Sequence, residues 1–135
     1  MIRYACDEDI KGILELDKHI NLNILQKKIA NKEVYVLVHD DLLIGTLRYS
    51  LFWDNIPFMN MLYIKEGFQN KKMGSSLVDY WEEKMRGLGY TDVMTSTMSN
   101  EAAQHFYRKK GYKDVGGFIL EGEPLELVFH KKISV

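Results

Sequence analysis

The feature that most constrains the fold is a change of hydrophobic period in the middle of the chain. Residues Pro57 to Ile64 form an apolar, β-rich run, which predicts a buried strand. After Lys65-Glu66-Gly67, apolar residues recur with a helical period from Met73 to Leu88, and Asp92 to Thr97 then alternates like a strand. A strand, a helix and a strand in this order predict a β-α-β crossover within a mixed sheet.

The residues before this crossover predict two helices and a hairpin. Asp7-Glu8-Asp9 places acidic side chains where a helix N-terminus favours them, and this first helix should end near His19. Asn21 is expected to cap a second short helix. Two β-rich runs, 33–39 and 42–53, then flank a turn of two aspartates. We therefore expect two helices to precede the sheet.

The last part of the chain predicts one helix and two strands. Asn100 to Lys110 should be helical, with Gly111 as its stop, and 112–119 and 125–132 should be strands. The predicted order is ααβββ, then αβ, then αββ. It indicates one α/β domain over residues 1–135, a three-layer α-β-α fold. Its central sheet would be mixed and mostly antiparallel, with about six to seven strands and about four helices.

Composition excludes several classes of protein. Lys plus Arg (18) nearly balance Asp plus Glu (19), for a net charge of −1, so we expect neither nucleic acid nor an anionic membrane as a partner. The single cysteine, Cys6, cannot form an internal disulfide, and the first residues contain no apolar stretch of signal-peptide length. These features are typical of a cytoplasmic protein.

The loop that opens the long helix carries the first candidate site. Gln69 to Ser75 reads QNKKMGS. A helix N-terminus offers unpaired N–H groups and a partial positive charge, which suit a phosphate. Gly74 allows close backbone approach, and Lys71 and Lys72 add positive charge. Taken alone, such a sequence is more often an ordinary solvated helix terminus.

The second candidate site is the helix predicted near residue 100. Asn100 can cap it, Ala103 is small enough for close packing, and Tyr107 lies one turn beyond Ala103 on the same face. Taken alone, a tyrosine at this spacing is more often a half-buried core aromatic.

Together the two clusters resemble motifs A and B of the GNAT acetyltransferases. Motif A reads Gln/Arg-x-x-Gly-x-Gly/Ala, which Gln69 and Gly74 match at its first and last positions, whereas Lys72 replaces its first glycine. Motif B reads approximately Asn-x-x-Ala-x-x-x-Tyr-x-x-x-Gly-Phe/Tyr. The residues that match it are Asn100, Ala103, Tyr107, Gly111 and Tyr112. The resemblance extends over essentially the whole chain and implies a GNAT-like acyl-CoA acyltransferase fold and an acetyl-CoA-dependent N-acetyltransferase.

The resemblance also implies where acetyl-CoA binds. The strand before motif A would pair its backbone with the pantetheine arm, and it would splay from the strand at 92–97 to admit that arm. The N–H near Leu62 would bind the thioester oxygen as it becomes negative. The residues implied to contact the cosubstrate are Leu62, Tyr63, Ile64, Gln69, Asn70, Lys71, Lys72, Met73, Gly74, Ser75, Asn100, Ala103 and Tyr107.

The implied chemistry needs an acid and a base, and no metal. By resemblance, Tyr107 would protonate the departing CoA thiolate. Some relatives carry a glutamate on the strand before motif A, but Pro57 to Met61 contains no acid here. The base is therefore left open among several residues that can accept a proton: Asp54, Glu126, His130 and His105.

The acceptor side is expected at the end of the second hairpin strand, together with the early helices. Arg48 and Asp54 would fix polar ends of the acceptor, and Trp53 suits an apolar or cationic group. Simple alternation instead predicts that Tyr49, Leu51 and Trp53 form one buried strand face, and we expect burial of at least two of them. An exposed remainder would equally suit a homodimer contact.

Two other functions stay open beside acetyl transfer to a small-molecule or protein amine. A GNAT-fold module that holds CoA, or nothing, and acts through protein contacts is favoured by Lys72 and by the missing strand acid. Nucleic-acid binding through Lys71, Lys72 and residues 108–110 is a weaker third hypothesis, and it would require binding with a steep salt dependence.

Overall fold

The computed structural model describes residues 1–69 and 72–134, so the predicted contacts of Asn70 and Lys71 lie outside the described residues. Within this part of the chain a short 3-10 turn, Asp7–Asp9, precedes the first α-helix. The strands and helices are β1 Ile2–Tyr4, α1 Ile10–Leu16, α2 Leu22–Ala30, β2 Val34–His39, β3 Leu42–Phe52, β4 Ile56–Ile64, α3 Met73–Gly87, β5 Asp92–Met98, α4 Ala103–Lys109, β6 Lys113–Phe118 and β7 Glu126–Lys132. The strands form a seven-stranded mixed sheet in the order β1-β2-β3-β4-β5-β7-β6. The predicted α/β fold class is confirmed.

The sheet begins earlier in the chain than predicted. Strand β1 pairs antiparallel with β2, with Arg3 opposite Val36. Three residues are too few to show a period-2 alternation, so this strand is defined by its partner rather than by its own pattern. The prediction that two helices precede the sheet is therefore wrong.

The chain forms two compact units that are interleaved in sequence. Unit 1 comprises Met1–Ser50 and Asn60–Trp81, and unit 2 comprises Leu51–Met59 and Glu82–Val135. The expectation of a single domain over residues 1–135 stays a prediction.

In unit 1 the first two helices pack on β2 and on the residue that follows β1. Asn21 caps α2 as predicted, because its side-chain oxygen accepts a hydrogen bond from the N–H of Ile24 at 2.9 Å. The apolar faces of these elements meet in a buried cluster of Ala5, Ile13, Leu25, Ile29, Val34 and Val36. This packing fixes the elements from which the acceptor side was predicted.

In unit 2 strand β5 has a parallel and an antiparallel neighbour. It pairs in parallel with the first half of β4, where Met59 lies opposite Thr95. On its other side it pairs antiparallel with β7, which places Phe129 opposite Thr95. The parallel pair confirms the predicted β-α-β crossover.

Helix α4 of unit 2 starts later than predicted. Its N-cap is Ala102, which makes no side-chain capping bond, and the preceding residues form a turn in which Glu101 N–H donates to Met98 O at 3.0 Å. Asn100 therefore does not cap the helix, and that expectation is wrong. The helix ends at Lys109, and the predicted stop, Gly111, follows its C-cap with a φ of 93°, the left-handed conformation that favours glycine.

Candidate functional site

The connection from β4 to α3, in unit 1, is held by hydrogen bonds to β3, within the loop, and to the last residue of β4. The N–H of Lys65 donates to Ile44 O at 2.7 Å, and the N–H of Phe68 donates to Lys65 O at 3.0 Å. The side-chain amide of Gln69 donates to Ile64 O at 2.9 Å. Gln69, the first residue of motif A, thus fixes the loop by donating a hydrogen bond to the carbonyl of Ile64.

Lys72 stands at the start of α3 in a left-handed conformation. Its φ is 60°, a region that favours glycine, and its side chain is exposed. Its carbonyl accepts hydrogen bonds from both the N–H and the hydroxyl of Ser76, each at 3.0 Å. This conformation explains why the family motif has glycine here, and it leaves the lysine cation in solvent.

The first turn of α3 presents N–H groups beside that cation. Those of Met73 and Gly74 have no acceptor within the helix, and a helix of 15 residues carries a partial positive charge at this end. The side chain of Met73 lines a groove of about 350 Å³ together with Val38 and Tyr80. The Met73 side chain therefore packs within unit 1. Only the backbone N–H groups of this turn are then available to bind an anion.

The strained backbone at Lys72 leads to a prediction. Lys72→Gly should raise the free energy of unfolding by about 0.5–1 kcal/mol, since the left-handed strain exceeds the entropy that glycine adds to the unfolded chain. Lys72→Ala is the matched control, because it removes the same charge but keeps the Cβ. Urea unfolding followed by circular dichroism checks both variants, and an alanine variant as stable as the glycine variant would contradict the strain argument.

The predicted thioester strand, the second half of β4, alternates between faces. Tyr63 is 36% exposed and Ile64 is buried, while Leu62 is half-buried. A Cβ at Gly45 would lie 2.8 Å from Ile64 Cδ1 and 3.4 Å from Tyr63 O, so this glycine permits close packing against the strand. The oxyanion role of the Leu62 N–H and the splay of this strand from β5 stay predictions.

Tyr107 is buried in unit 2 among aromatic rings. It is 6% exposed, and its ring centroid lies 5.7 Å from that of Tyr112 and 6.0 Å from that of Phe129. Burial raises the pKa of Tyr107 to about 12, partly offset by a hydrogen bond with Thr95 and aided by the negative charge of Glu101. The hydroxyl is therefore protonated at neutral pH, as a proton donor must be.

Thr95 links this tyrosine to the parallel strand pair. Its own hydroxyl donates to Met59 O at 3.0 Å, and it is 1% exposed. Sequence reasoning missed Thr95, although a hydroxyl at an inward position of a central strand is a signal for a buried hydrogen bond.

Asn100 and Ala103 of motif B, and Arg108 next to Tyr107, lie nearer solvent. Asn100 is exposed and Ala103 is half-buried. Arg108 forms two hydrogen bonds with Asp114, at 3.0 and 2.8 Å, and one with Gln104 at 3.0 Å. The guanidinium of Arg108 is thus bonded to side chains of its own chain. A phosphate would have to compete with these hydrogen bonds.

Arg48, predicted to bind the acceptor, pairs with a buried carboxylate in unit 1. Its Nε lies 2.7 Å from Asp17 Oδ2, and the Asp17 side chain has no exposed surface. The other oxygen of Asp17 accepts from the N–H of His19 at 3.0 Å. Arg48 therefore fixes the residues that follow α1, and its contact with an acceptor stays a prediction.

Trp53 and Asp54 form the turn between β3 and β4, with φ of 54° and 59°. Trp53 is 79% exposed and Leu51 is also exposed, whereas Tyr49 is buried. The expectation that at least two of these three residues share a buried face is wrong, because the strand ends at Phe52 and the turn places the tryptophan outside it. Their role in acceptor binding remains a prediction.

The candidates for the general base lie in different surroundings. His130 Nε2 is 2.5 Å from Asp92 Oδ2, and hydrogen bonds from Thr91 first and His130 second hold the pKa of Asp92 below its usual range. His130, on β7, is thus engaged in a hydrogen bond with the first residue of β5. The remaining candidates are exposed or half-buried: Asp54, His105 and Glu126.

A buried carboxylate on α3 also escaped the sequence analysis. Glu82 is 3% exposed, and it accepts from the Tyr112 hydroxyl at 2.8 Å and from Lys131 Nζ at 2.7 Å. Glu82 follows Trp81 and so lies at the border of the apolar helix face, where the helical pattern alone does not distinguish a buried carboxylate from an exposed one. Its partners lie 30 and 49 residues away, beyond any local pattern.

Comparison with known proteins identifies the family. The sequence model of the Acetyltransferase (GNAT) family matches residues 4–112, and the chain belongs to this family. No curated protein matches the chain in a sequence search.

Solved structures share the fold at low sequence identity. Ard1 from Thermoplasma volcanium matches with a TM-score of 0.90 at 14% identity, over 100% of this chain and 98% of that one. PaiA N-acetyltransferase from Thermoplasma acidophilum, in complex with coenzyme A, matches with 0.81 at 19%, over 98% of each chain. N-acetylglutamate synthase from Neisseria gonorrhoeae, complexed with coenzyme A and N-acetyl-glutamate, matches with 0.86 at 18%, over 100% of this chain and 35% of that one.

Residues 1–69 and 72–134 lack two further features. None of the helices there has both the length and the apolar composition needed to cross a membrane. The same residues contain no group of three or more His, Cys, Asp or Glu side chains placed to hold a metal ion.

Proposed function

We propose that the chain is an N-acetyltransferase that transfers an acetyl group from acetyl-CoA to a primary amine by direct attack in a ternary complex. Family membership supports acyl transfer from a coenzyme A thioester. The observation that carries the proposal is Tyr107, a motif residue whose hydroxyl is buried next to Thr95 and protonated at neutral pH.

Unit 1 supplies the groups proposed to bind acetyl-CoA. The N–H groups of Met73, Gly74 and Ser75 would hold the pyrophosphate at the positive end of α3, and the exposed Lys72 would add a cation. The backbone of β4 from Leu62 to Ile64 would pair with the pantetheine arm. The carbonyl of Ile64 already accepts from Gln69, so the N–H groups of this strand carry most of the proposed pairing.

The proposed reaction needs one acid and one base. The amine nitrogen attacks the thioester carbon, the C–N bond forms, and the Leu62 N–H stabilises the negative charge on oxygen. The C–S bond then breaks, and the leaving thiolate takes the proton of Tyr107, which recovers one from water. The nitrogen loses its proton to a base that stays open among Asp54, Glu126, His130 and His105.

The acceptor is proposed to be a primary amine of a small molecule or a protein. Trp53 offers an exposed ring to an apolar or cationic group, and Asp54 beside it offers a carboxylate. Arg48 would contact the acceptor with the part of its guanidinium that is not bonded to Asp17. The site is proposed to be open to more than one amine, because Trp53 and Asp54 lie on an exposed turn.

The alternative is a GNAT-fold module that holds CoA, or nothing, without catalysis. Lys72 in place of the motif glycine and the absence of an acid from Pro57 to Met61 favour it. Lys72 adopts the left-handed conformation with its side chain in solvent, which leaves the turn open to a phosphate. If the protein binds acetyl-CoA but releases no CoA thiol with any amine of a broad panel, the non-catalytic module is supported.

Titration calorimetry with acetyl-CoA and with CoA tests the binding step. The wild-type protein should bind both, and Gly74→Glu should weaken both by at least about tenfold, because its carboxylate repels the pyrophosphate. Gly74→Gln is the matched control, with the same size and no charge, and it should bind more tightly than Gly74→Glu. No binding by folded wild-type protein, or equal affinities for the two variants, would contradict the proposed cofactor site.

A further inference from the structure

The hairpin of β6 and β7, in unit 2, leaves apolar side chains uncovered. All six residues of β6 are exposed, and this strand is the last in the order of the sheet. The exposed apolar residues of the hairpin are Val115 (55%), Phe118 (46%), Ile119 (70%), Leu120 (62%) and Leu125 (40%). A patch of this kind on a soluble protein marks an interaction surface.

The free edge of β6 is protected against pairing over its first half only. Natural edge strands are protected by charges, prolines or bulges. Here Lys113 and Asp114 stand at the start and Val115 lies in a bulge between Asp114 and Gly116. Gly116, Gly117 and Phe118 then follow without a charge or a proline. A Cβ at Gly116 would meet nothing within 4 Å, so its own chain leaves this stretch of backbone open to close approach.

We propose that β6 pairs antiparallel with β6 of a second copy of this chain, across a twofold axis. The charges around the strand favour this occupant. Lys109 and Lys113 lie at its beginning, where the carboxylate of Asp114 is already paired with Arg108. Glu121 and Glu123 lie in the turn after its end, and these two lysines and two glutamates are exposed. Antiparallel pairing brings the basic start of each strand to the acidic turn of the other, so the surface is complementary to itself.

The area of the patch fits a reversible dimer. Five side chains, each roughly half exposed, offer on the order of 400 Å² of apolar surface per copy, which is within the about 300–600 Å² of the largest, often functional, patch on a monomer. Two copies and the paired backbone then reach the lower end of the about 1,200–2,000 Å² found in specific interfaces. A dimer that dissociates on dilution follows.

Sedimentation velocity over a wide range of protein concentration tests the dimer. The wild-type protein should dimerise, and Val115→Lys should weaken dimerisation at least about tenfold, because it buries an unpaired charge at the pairing edge. Leu88→Lys is the matched control, since Leu88 is 61% exposed but follows α3, outside the hairpin, and it should leave the dimer intact. Circular dichroism confirms that each variant is folded.

Charge reversal tests the antiparallel arrangement. Lys113→Glu alone, and Glu121→Lys with Glu123→Lys, should each weaken the dimer, whereas mixing the two variants should restore association as a heterodimer. A wild-type protein that is monomeric at every concentration would overturn the proposal. A dimer that survives Val115→Lys would also overturn it, because the interface would then lie elsewhere. If the hairpin is protected from hydrogen exchange only when an amine acceptor is added, the patch binds that acceptor and the dimer proposal is wrong.

Discussion

Tyr107→Phe is expected to lower kcat for acetyl transfer by about 10²–10³-fold, because loss of a general acid typically costs about 10²–10⁴ in rate. The ring remains, so its packing against Tyr112 and Phe129 should persist. The affinity for acetyl-CoA should therefore change little. Thiol release under saturating amine measures the rate, and calorimetry measures the affinity.

The controls for this prediction separate the acid from its surroundings. Tyr90→Phe removes a hydroxyl outside both motifs and should leave kcat unchanged. Thr95→Val removes the hydrogen bond that lowers the pKa of Tyr107, so this pKa should rise further, and Thr95→Ser should restore it. Unchanged turnover in Tyr107→Phe would reject the acid role, and with CoA binding intact it would leave the binding proposal standing.

The pH profile gives a second check of the same group. The pKa of Tyr107 is raised to about 12, so the group keeps its proton throughout the neutral and mildly alkaline range. The proposed acid therefore causes no loss of rate as the pH rises from about 7 to 10. A fall in rate within that range would have to come from another group.

Local patterns in the sequence were sufficient for most of the elements. Helical periodicity gave α3, and β-rich runs between turn residues gave β2 to β5, because these signals are properties of neighbouring residues. Strand β1 escaped because a three-residue strand depends on its pairing with β2. The prediction that Asn100 caps α4 was wrong for a related reason, since a turn around Glu101 displaces the start of that helix.

The candidate site was predictable in its motifs and not in its contacts. The motif pattern pointed to Tyr107 and Lys72, but the burial of the first and the left-handed backbone of the second depend on packing. Arg48 was chosen for its charge, and its partner Asp17 is 31 residues away in sequence. Pairings over such separations are set by the tertiary fold, which leaves no periodic signal.

Glu82→Ala is expected to lower the free energy of unfolding by about 3 kcal/mol, which is large against the marginal stability of a domain. Glu82 is 3% exposed and joins α3 to the residues after α4 and to β7 through Tyr112 and Lys131. Its removal leaves two buried or half-buried donors without their acceptor. The Lys131 side chain is 22% exposed and can turn toward water, which keeps the effect at the lower end of the usual range.

Urea unfolding followed by circular dichroism measures this loss, with Glu83→Ala as the matched control. Glu83 is the next residue of the same helix, its side chain is 77% exposed, and it pairs with Arg86 at the surface, so its removal should cost less than about 0.5 kcal/mol. The double variant Glu82→Gln with Lys131→Met should be more stable than the sum of its single variants predicts, by about 1–3 kcal/mol, since the two groups interact directly. Equal losses in Glu82→Ala and Glu83→Ala would mean that the carboxylate of Glu82 is solvated, and the link between α3 and β7 would then rest on apolar packing alone.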